Sequence, residues 1–226
     1  MHAKLRSKTY SMMASTQLGQ SMTEFIIIFP VLLLITLGTL QLTLIYSAKA
    51  TLNLAAFQAA RSGALNSGNT EKMREGLAQG LAPLFSYGTS VDDHKKAFQK
   101  SWEEANQYAQ IKVVNPSPAA LKYWGGSIPN NNLRYSEEKT PGGLTVQDAN
   151  LLKIEVTYCY PLYVSLVNRT FIALAKGGIV NPGGLGGGTE SYPEDSDAFH
   201  KICYSNGRLP IVSQAVVRMQ TPFQAK

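Results

Sequence analysis

"GQSMTEFIIIFPVLLLITLGTLQLTLI", residues 19–45, places one carboxylate, Glu24, directly before 21 consecutive uncharged residues running from Phe25 to Ile45. At about 1.5 Å rise per residue a helix over this run spans roughly 32 Å, close to the hydrocarbon thickness of a bilayer. The run therefore predicts a membrane-spanning helix. A glutamate inside hydrocarbon is costly, so Glu24 at the edge of the run calls for a partner or a purpose. Lys4, Arg6 and Lys8 precede it with no acid in between. Cationic flanks stay on the cytoplasmic side, which predicts a cytoplasmic N-terminal end and places everything after about Tyr46 across the membrane.

The remainder of the chain bounds the class. Its 226 residues, 44% hydrophobic and 16% charged, supply one ordinary folded domain plus an additional segment. Formal net charge is +6, but three of the positive charges belong to the leader, which leaves 18 basic against 15 acidic residues elsewhere. The positive charge forms no stripe and does not interleave with aromatics, so nucleic acid is not the expected partner.

An ordinary secretory signal is one alternative, since "SAKA", residues 47–50, offers Ala48 and Ala50 as an A-x-A site. It accounts for the run less well. The apolar stretch is longer than the roughly 7–15 residues such peptides use, and the region before it ends in an acid. A plain single-pass anchor, in which Gly19 and Glu24 have no role, is the other alternative that composition leaves open.

Spacing separates these readings. Gly19 immediately precedes Gln20, Glu24 is the fifth residue counted from Gln20, and the apolar run starts directly after the acid. This arrangement resembles a class III, prepilin-type signal, which implies a peptidase at the cytoplasmic face that cuts between Gly19 and Gln20 and leaves the helix on the mature chain. Residues 19–64 together resemble the opening of TadE-like pseudopilins of tight-adherence (Flp-type) pilus systems: the G-x4-E-F start, Pro30 early in the span, Tyr46 near its far end, and "AARSGA" at 59–64. "VTYCYPL" (156–162) and "GRLPIVSQAVVRMQTP" (207–222) fit more loosely.

The resemblance implies a leader over 1–19, a transmembrane and extended spine helix over 20–66 and a periplasmic head over 67–226, in a single-pass protein of the inner membrane that could pass into a surface pilus. Its implied partners are the prepilin peptidase, other pseudopilins, the small major Flp pilin, the inner-membrane assembly platform and membrane lipid. Cleavage would create an α-amino group on Gln20 and so give Glu24 a cationic partner, in the same subunit or a neighbour. The chain is much longer than the major pilin and lacks the D-x-S-x-S metal site of the larger TadG-like proteins. A permanently anchored periplasmic scaffolding or ligand-binding protein is the alternative of another class.

The expected fold is α+β. The spine continues past the membrane as an Ala- and Leu-rich helix to about Leu65, stopped by Gly63 and "NSGN", with Leu52, Ala55, Ala56, Ala59 and Ala60 at helical spacing and small enough for close helix approach. Helices are expected over 70–82 and 91–109, the second capped by Ser90 with Asp92 and Asp93 in its first turn. Strands are expected over 111–115, 151–160 and 209–220. The middle strand alternates, with Leu152, Ile154, Val156 and Tyr158 on one face and Lys153, Glu155 and Thr157 on the other. Antiparallel pairing of the last two strands forms the expected core. "PLYVSLVNRTFIALAK" reads as a helix with Pro161 in its first turn, packed on the sheet or laid on the membrane surface. The glycine-rich run after it reads as a loop without phosphate-binding character.

Catalytic chemistry is scarce. His2, His94 and His200 are scattered, and Glu194, Asp195, Asp197 and His200 lack EF-hand spacing, so they read as a solvated acidic turn. No serine sits in a G-x-S-x-G elbow and no Cys-His pairing has a supporting context. Asn168-Arg169-Thr170 matches a glycosylation sequon by chance spacing on a helix. The chain does not read as an enzyme, and no metal or cofactor is expected. Cys159 and Cys203 both fall in the part expected outside the cytoplasm, where an oxidising compartment makes a disulfide the default; two buried thiols are the alternative.

Overall fold

A computed structural model describes residues 20–130, 145–175 and 198–224. Helix α1, Gln20–Leu65, is about 69 Å long at 1.5 Å per residue and carries Pro30 inside it. Its second half is built into the head. Ala48, Leu52, Ala55, Ala56, Ala59, Ala60 and Ala64 are all buried, a stripe at helical spacing that forms one wall of the core. Gly63 does not stop the helix, contrary to the expectation. It lies inside the last turn, where a side chain would come within 2.6 Å of Met73 Cγ, so glycine is the residue that fits. The stop comes at Ser67 and Gly68, both at positive φ, with the Gly68 amide donating to Gly63 O over 2.9 Å.

Helix α2, Thr70–Leu81, opens on Asn69, whose side chain accepts from the Glu71 and Lys72 amides, and runs back along α1. The close helix approach allowed by small residues occurs here, within the chain: a Cβ on Gly80 would lie 2.6 Å from Ala55 Cβ, and one on Gly76 would lie 2.8 Å from Gln58 O. After a 3-10 turn at Ala82–Phe85 comes α3, Val91–Gln107, closed at its start by the reciprocal Ser90–Asp93 capping box.

The sheet is antiparallel with order β1-β3-β4: β1 is Ala109–Asn115, β3 Leu151–Pro161 and β4 Arg208–Arg218. Short elements fill the connections: α4 (Pro118–Tyr123), β2 (Ser127–Ile128) and α5 (Val146–Ala149), with β5 (Phe223–Gln224) pairing back onto β2. In β3, Leu152, Ile154, Val156 and Tyr158 face the core as expected. Thr157 is also buried on the opposite face, because that end of the sheet is covered by α7, Ala198–Ser205, which the Cys159–Cys203 disulfide joins to β3 across a Cα–Cα distance of 5.1 Å.

Two boundaries move. The helix expected to reach residue 109 ends at Gln107, since Ala109 already pairs with Tyr158. Pro161 is the last residue of β3, opposite Arg208, and not a helix start. Helix α6 begins four residues later, as Ser165–Ala175. A proline needs no ladder donor at a strand end, so the alternating run simply extends through it. The leader, the glycine-rich loop and the acidic turn up to Asp197 lie outside the described residues.

Candidate assembly and anchoring surface

The first half of α1 has no cover from the head. Phe25 is 61% exposed, Ile27 72% and Ile35 58%, which is the reverse of a core helix in a water-soluble protein. Over Met22–Leu65 the helix is long and apolar enough to cross a membrane. Three threonines in this half, Thr36, Thr39 and Thr43, return their hydroxyls to carbonyls one turn back, so their polar atoms are satisfied within the helix. Glu24 lies near the start of this bare half, with its side chain exposed.

The change from bare to covered begins at Gln41, the one amide in the uncharged run and fully buried. Its Oε1 accepts the Val164 amide over 2.9 Å, fixing the segment between β3 and α6 against the spine. Higher up, Lys49 Nζ donates to Val212 O, and Ser213 Oγ lies 2.8 Å from Asn53 Oδ1. At the far end Thr221 Oγ1 donates to Ala64 O over 3.1 Å. Spine and head are thus fastened along the whole second half of α1.

A cleft of about 400 Å³ opens where the head meets the span, between Leu44 and Ser47 of α1, the turn at Pro83–Phe85, and Tyr87, Tyr158, Tyr160 and Tyr163. Burial, then the neighbouring Tyr163 and Tyr87 hydroxyls, push Tyr160 up to about 12, so this phenol stays neutral.

Behind the cleft lies a buried ion pair. Arg208 Nη1 donates to Glu104 Oε2 over 2.7 Å and Nη2 to Oε1 over 3.3 Å, while the Tyr158 hydroxyl donates to Oε2 over 3.1 Å. Nη1 also donates to Cys159 O over 3.1 Å, and the guanidinium carbon stands 3.4 Å from the Tyr108 ring centre. Burial, with the Glu104 carboxylate second, holds the Tyr158 phenol well above its usual range. For Arg208, burial works against the charge, but the Glu104 hydrogen bonds outweigh it and raise the group further. The cluster ties α3 to β3 and β4 at the lower end of the head.

Of the residues singled out by sequence, Cys159 and Cys203 come together as a disulfide, Gln20 begins α1, and Gly19 lies outside the described residues. His94 and His200 stand in different helices, α3 and α7, and among the described residues no group of three or more His, Cys, Asp or Glu side chains could hold a metal. Asn168 of the sequon sits in α6 with its Nδ2 donating to Leu162 O over 2.9 Å. Sequence reading missed Gln41, Lys49, Glu104 and Arg208. A lone amide in an apolar run and the first charge after it were the available signals for two of them.

A bare apolar half-helix continuing into a half built into an α+β head is the form of a single-pass, helix-anchored membrane protein. The family model described as TadE-like protein matches residues 19–61, and over this segment the chain is TadE-like. No curated protein and no solved structure matches the chain.

Proposed function

We propose that the protein is a minor pilin-like subunit of a Tad (Flp-type) pilus, made as a precursor with a leader over 1–19, a spine over 20–66 and a head over 67–226, and cut between Gly19 and Gln20 by a prepilin peptidase. In this reading the N-terminal end is cytoplasmic, the head is periplasmic, and the subunit helps to initiate, cap or stabilise the fibre alongside other pseudopilins, the major pilin and the assembly platform. Its role is structural. One observation carries the reading: the TadE-like match begins at Gly19, directly ahead of a helix whose first half the head leaves bare. A helix so apolar needs lipid or other helices around it.

The peptidase step supplies the test. Glycine fits a narrow cleft and permits backbone angles denied to other residues, so Gly19→Val should leave the leader attached. N-terminal sequencing and intact mass of the protein made with and without the cognate peptidase are expected to give Gln20 only where both the peptidase and Gly19 are present. An unprocessed wild-type chain in both samples would favour a permanently anchored scaffold instead.

A further inference from the structure

We infer that α6 is an interfacial element: the face formed by Leu166, Thr170 and Leu174, with Tyr163 in the segment leading into it, rests on the phospholipid leaflet through which α1 emerges. The inference rests on the reading of α1 as a membrane span and adds a second, peripheral lipid contact made by the head.

Gln41 is 16 residues beyond Phe25, so at about 1.5 Å per residue the Gln41–Val164 hydrogen bond stands roughly 24 Å above the start of the apolar run. The hydrocarbon layer is about 30 Å thick. A head fastened to the span at Gln41 therefore brings the start of α6 several ångströms below the far edge of the hydrocarbon. Amphipathic helices lying in an interface bury their apolar face to a depth of about 5–10 Å, which is the level reached here.

The chemistry of the face agrees with that depth. Leu166 and Leu174 are 58% and 68% exposed, and the spacing 166, 170, 174 keeps these positions on one side of the helix, while Tyr163, 53% exposed, lies in the segment that leads into it. Thr170 lies on the same face, but its hydroxyl donates to Val167 O over 2.6 Å, leaving its methyl outward. Arg169, exposed beside Leu166, can extend its guanidinium to lipid phosphate while its stem lies on the apolar face. Tyr163 also lines the cleft that includes Leu44, Ser47 and Tyr87, so the underside of the head carries tyrosines at the level where aromatic belts form. The other side of α6 is spoken for, with Phe171 and Ile172 packed against the core and the helix set on α1 and β4. The free face of α6 and the bare half of α1 are both apolar and exposed, and both call for the same solvent.

The contact would hold the head down. Withdrawal of the subunit into a fibre then has to lift α6 from lipid as well as extract α1.

Full-length protein reconstituted in phosphatidylcholine–phosphatidylglycerol vesicles tests this, with membrane insertion checked first by flotation. Leu174→Trp, and independently Leu166→Trp, place a fluorophore on the face, and Val216→Trp places one on the exposed part of β4 distant from the span. In vesicles whose acyl chains are brominated, the α6 tryptophans should lose emission strongly against the background of Trp102 and Trp124, while Val216→Trp should follow that background. Floating protein in which neither α6 tryptophan is quenched beyond Val216→Trp overturns the inference. So does emission that is blue-shifted but unquenched, which would mark a protein surface covering α6. Protein that does not float overturns the spanning reading and this inference with it.

Discussion

Glu104 and Arg208 show how one pair of residues can hold the lower end of the head. Their side chains are 5% and 16% exposed, and the guanidinium meets the carboxylate through two hydrogen bonds. Removing one partner from a buried pair leaves a charge without compensation and costs about 3–5 kcal/mol, whereas replacing both by apolar groups is often close to neutral. Lys100 Nζ, on a half-exposed side chain, also stands 3.9 Å from Glu104 Oε1, so Arg208→Ala is expected to lower the stability of the head by up to about 3–5 kcal/mol, with the Glu104→Leu, Arg208→Leu double variant losing clearly less. Chemical denaturation of the detergent-solubilised chain, followed by near-ultraviolet circular dichroism, checks both. Equal losses in the two variants would mean that Arg208 acts through its packing over Tyr108 alone. Nothing local announces this pair. Glu104 belongs to "KKAFQKSWEEANQ", which reads as a solvated helix, and its partner is 104 residues away. Cys159 and Cys203 were legible because chemistry restricts what a cysteine does in an oxidising compartment, while a carboxylate in a charged helix has many unremarkable uses.

Among the elements, those with an unbroken period were the most legible. The alternation of β3 and the apolar run of α1 each extend over many residues, so one misread position does not change the assignment. Boundaries followed tertiary contacts instead: Ala109 joined the sheet because Tyr158 lies opposite, and Gly63 serves close packing against Met73 and not as a helix stop. The α1–α2 pair carries the same lesson into energetics. A glycine inside a helix is disfavoured by up to about 1 kcal/mol against alanine, so Gly76 and Gly80 in α2 look like flaws when α2 is considered alone. Their use is the approach to Ala55, Ala59 and the Gln58 carbonyl, much of it backbone that cannot move aside. Overpacking a tight contact costs about 1–3 kcal/mol, which exceeds any propensity gained. Gly80→Val should therefore destabilise the head by about that range, with a lowered thermal midpoint of the purified chain as the readout. An unchanged or raised midpoint would show that the two helices part without penalty.

For the whole molecule, the division of α1 decides what the protein can do. Sequence marked the helix from end to end, but not where its cover begins, because Gln41 is a polar residue in a run of apolar ones and its partner is a backbone amide supplied by Val164. From Gln41 upward one face of α1 is committed to its own head, whereas the segment below it is free on every side for contacts between span helices, and Glu24 is the acidic side chain at the lower end of that segment. In the proposed mature chain, the new α-amino group of Gln20 lies four residues from Glu24, at the edge of the bilayer. A carboxylate in a low-dielectric site is tolerated when a cation meets it and otherwise tends to take up a proton. An amine from a neighbouring subunit would then set the register between two span helices, since sliding one past the other by a turn breaks the pair. Glu24→Gln keeps the size and removes the charge. It should leave flotation with membranes and the folded head unchanged, and reduce co-purification with other pilins from detergent. Wild-type recovery of those partners, together with normal piliation, would assign Glu24 to the lipid interface and take from it any part in assembly.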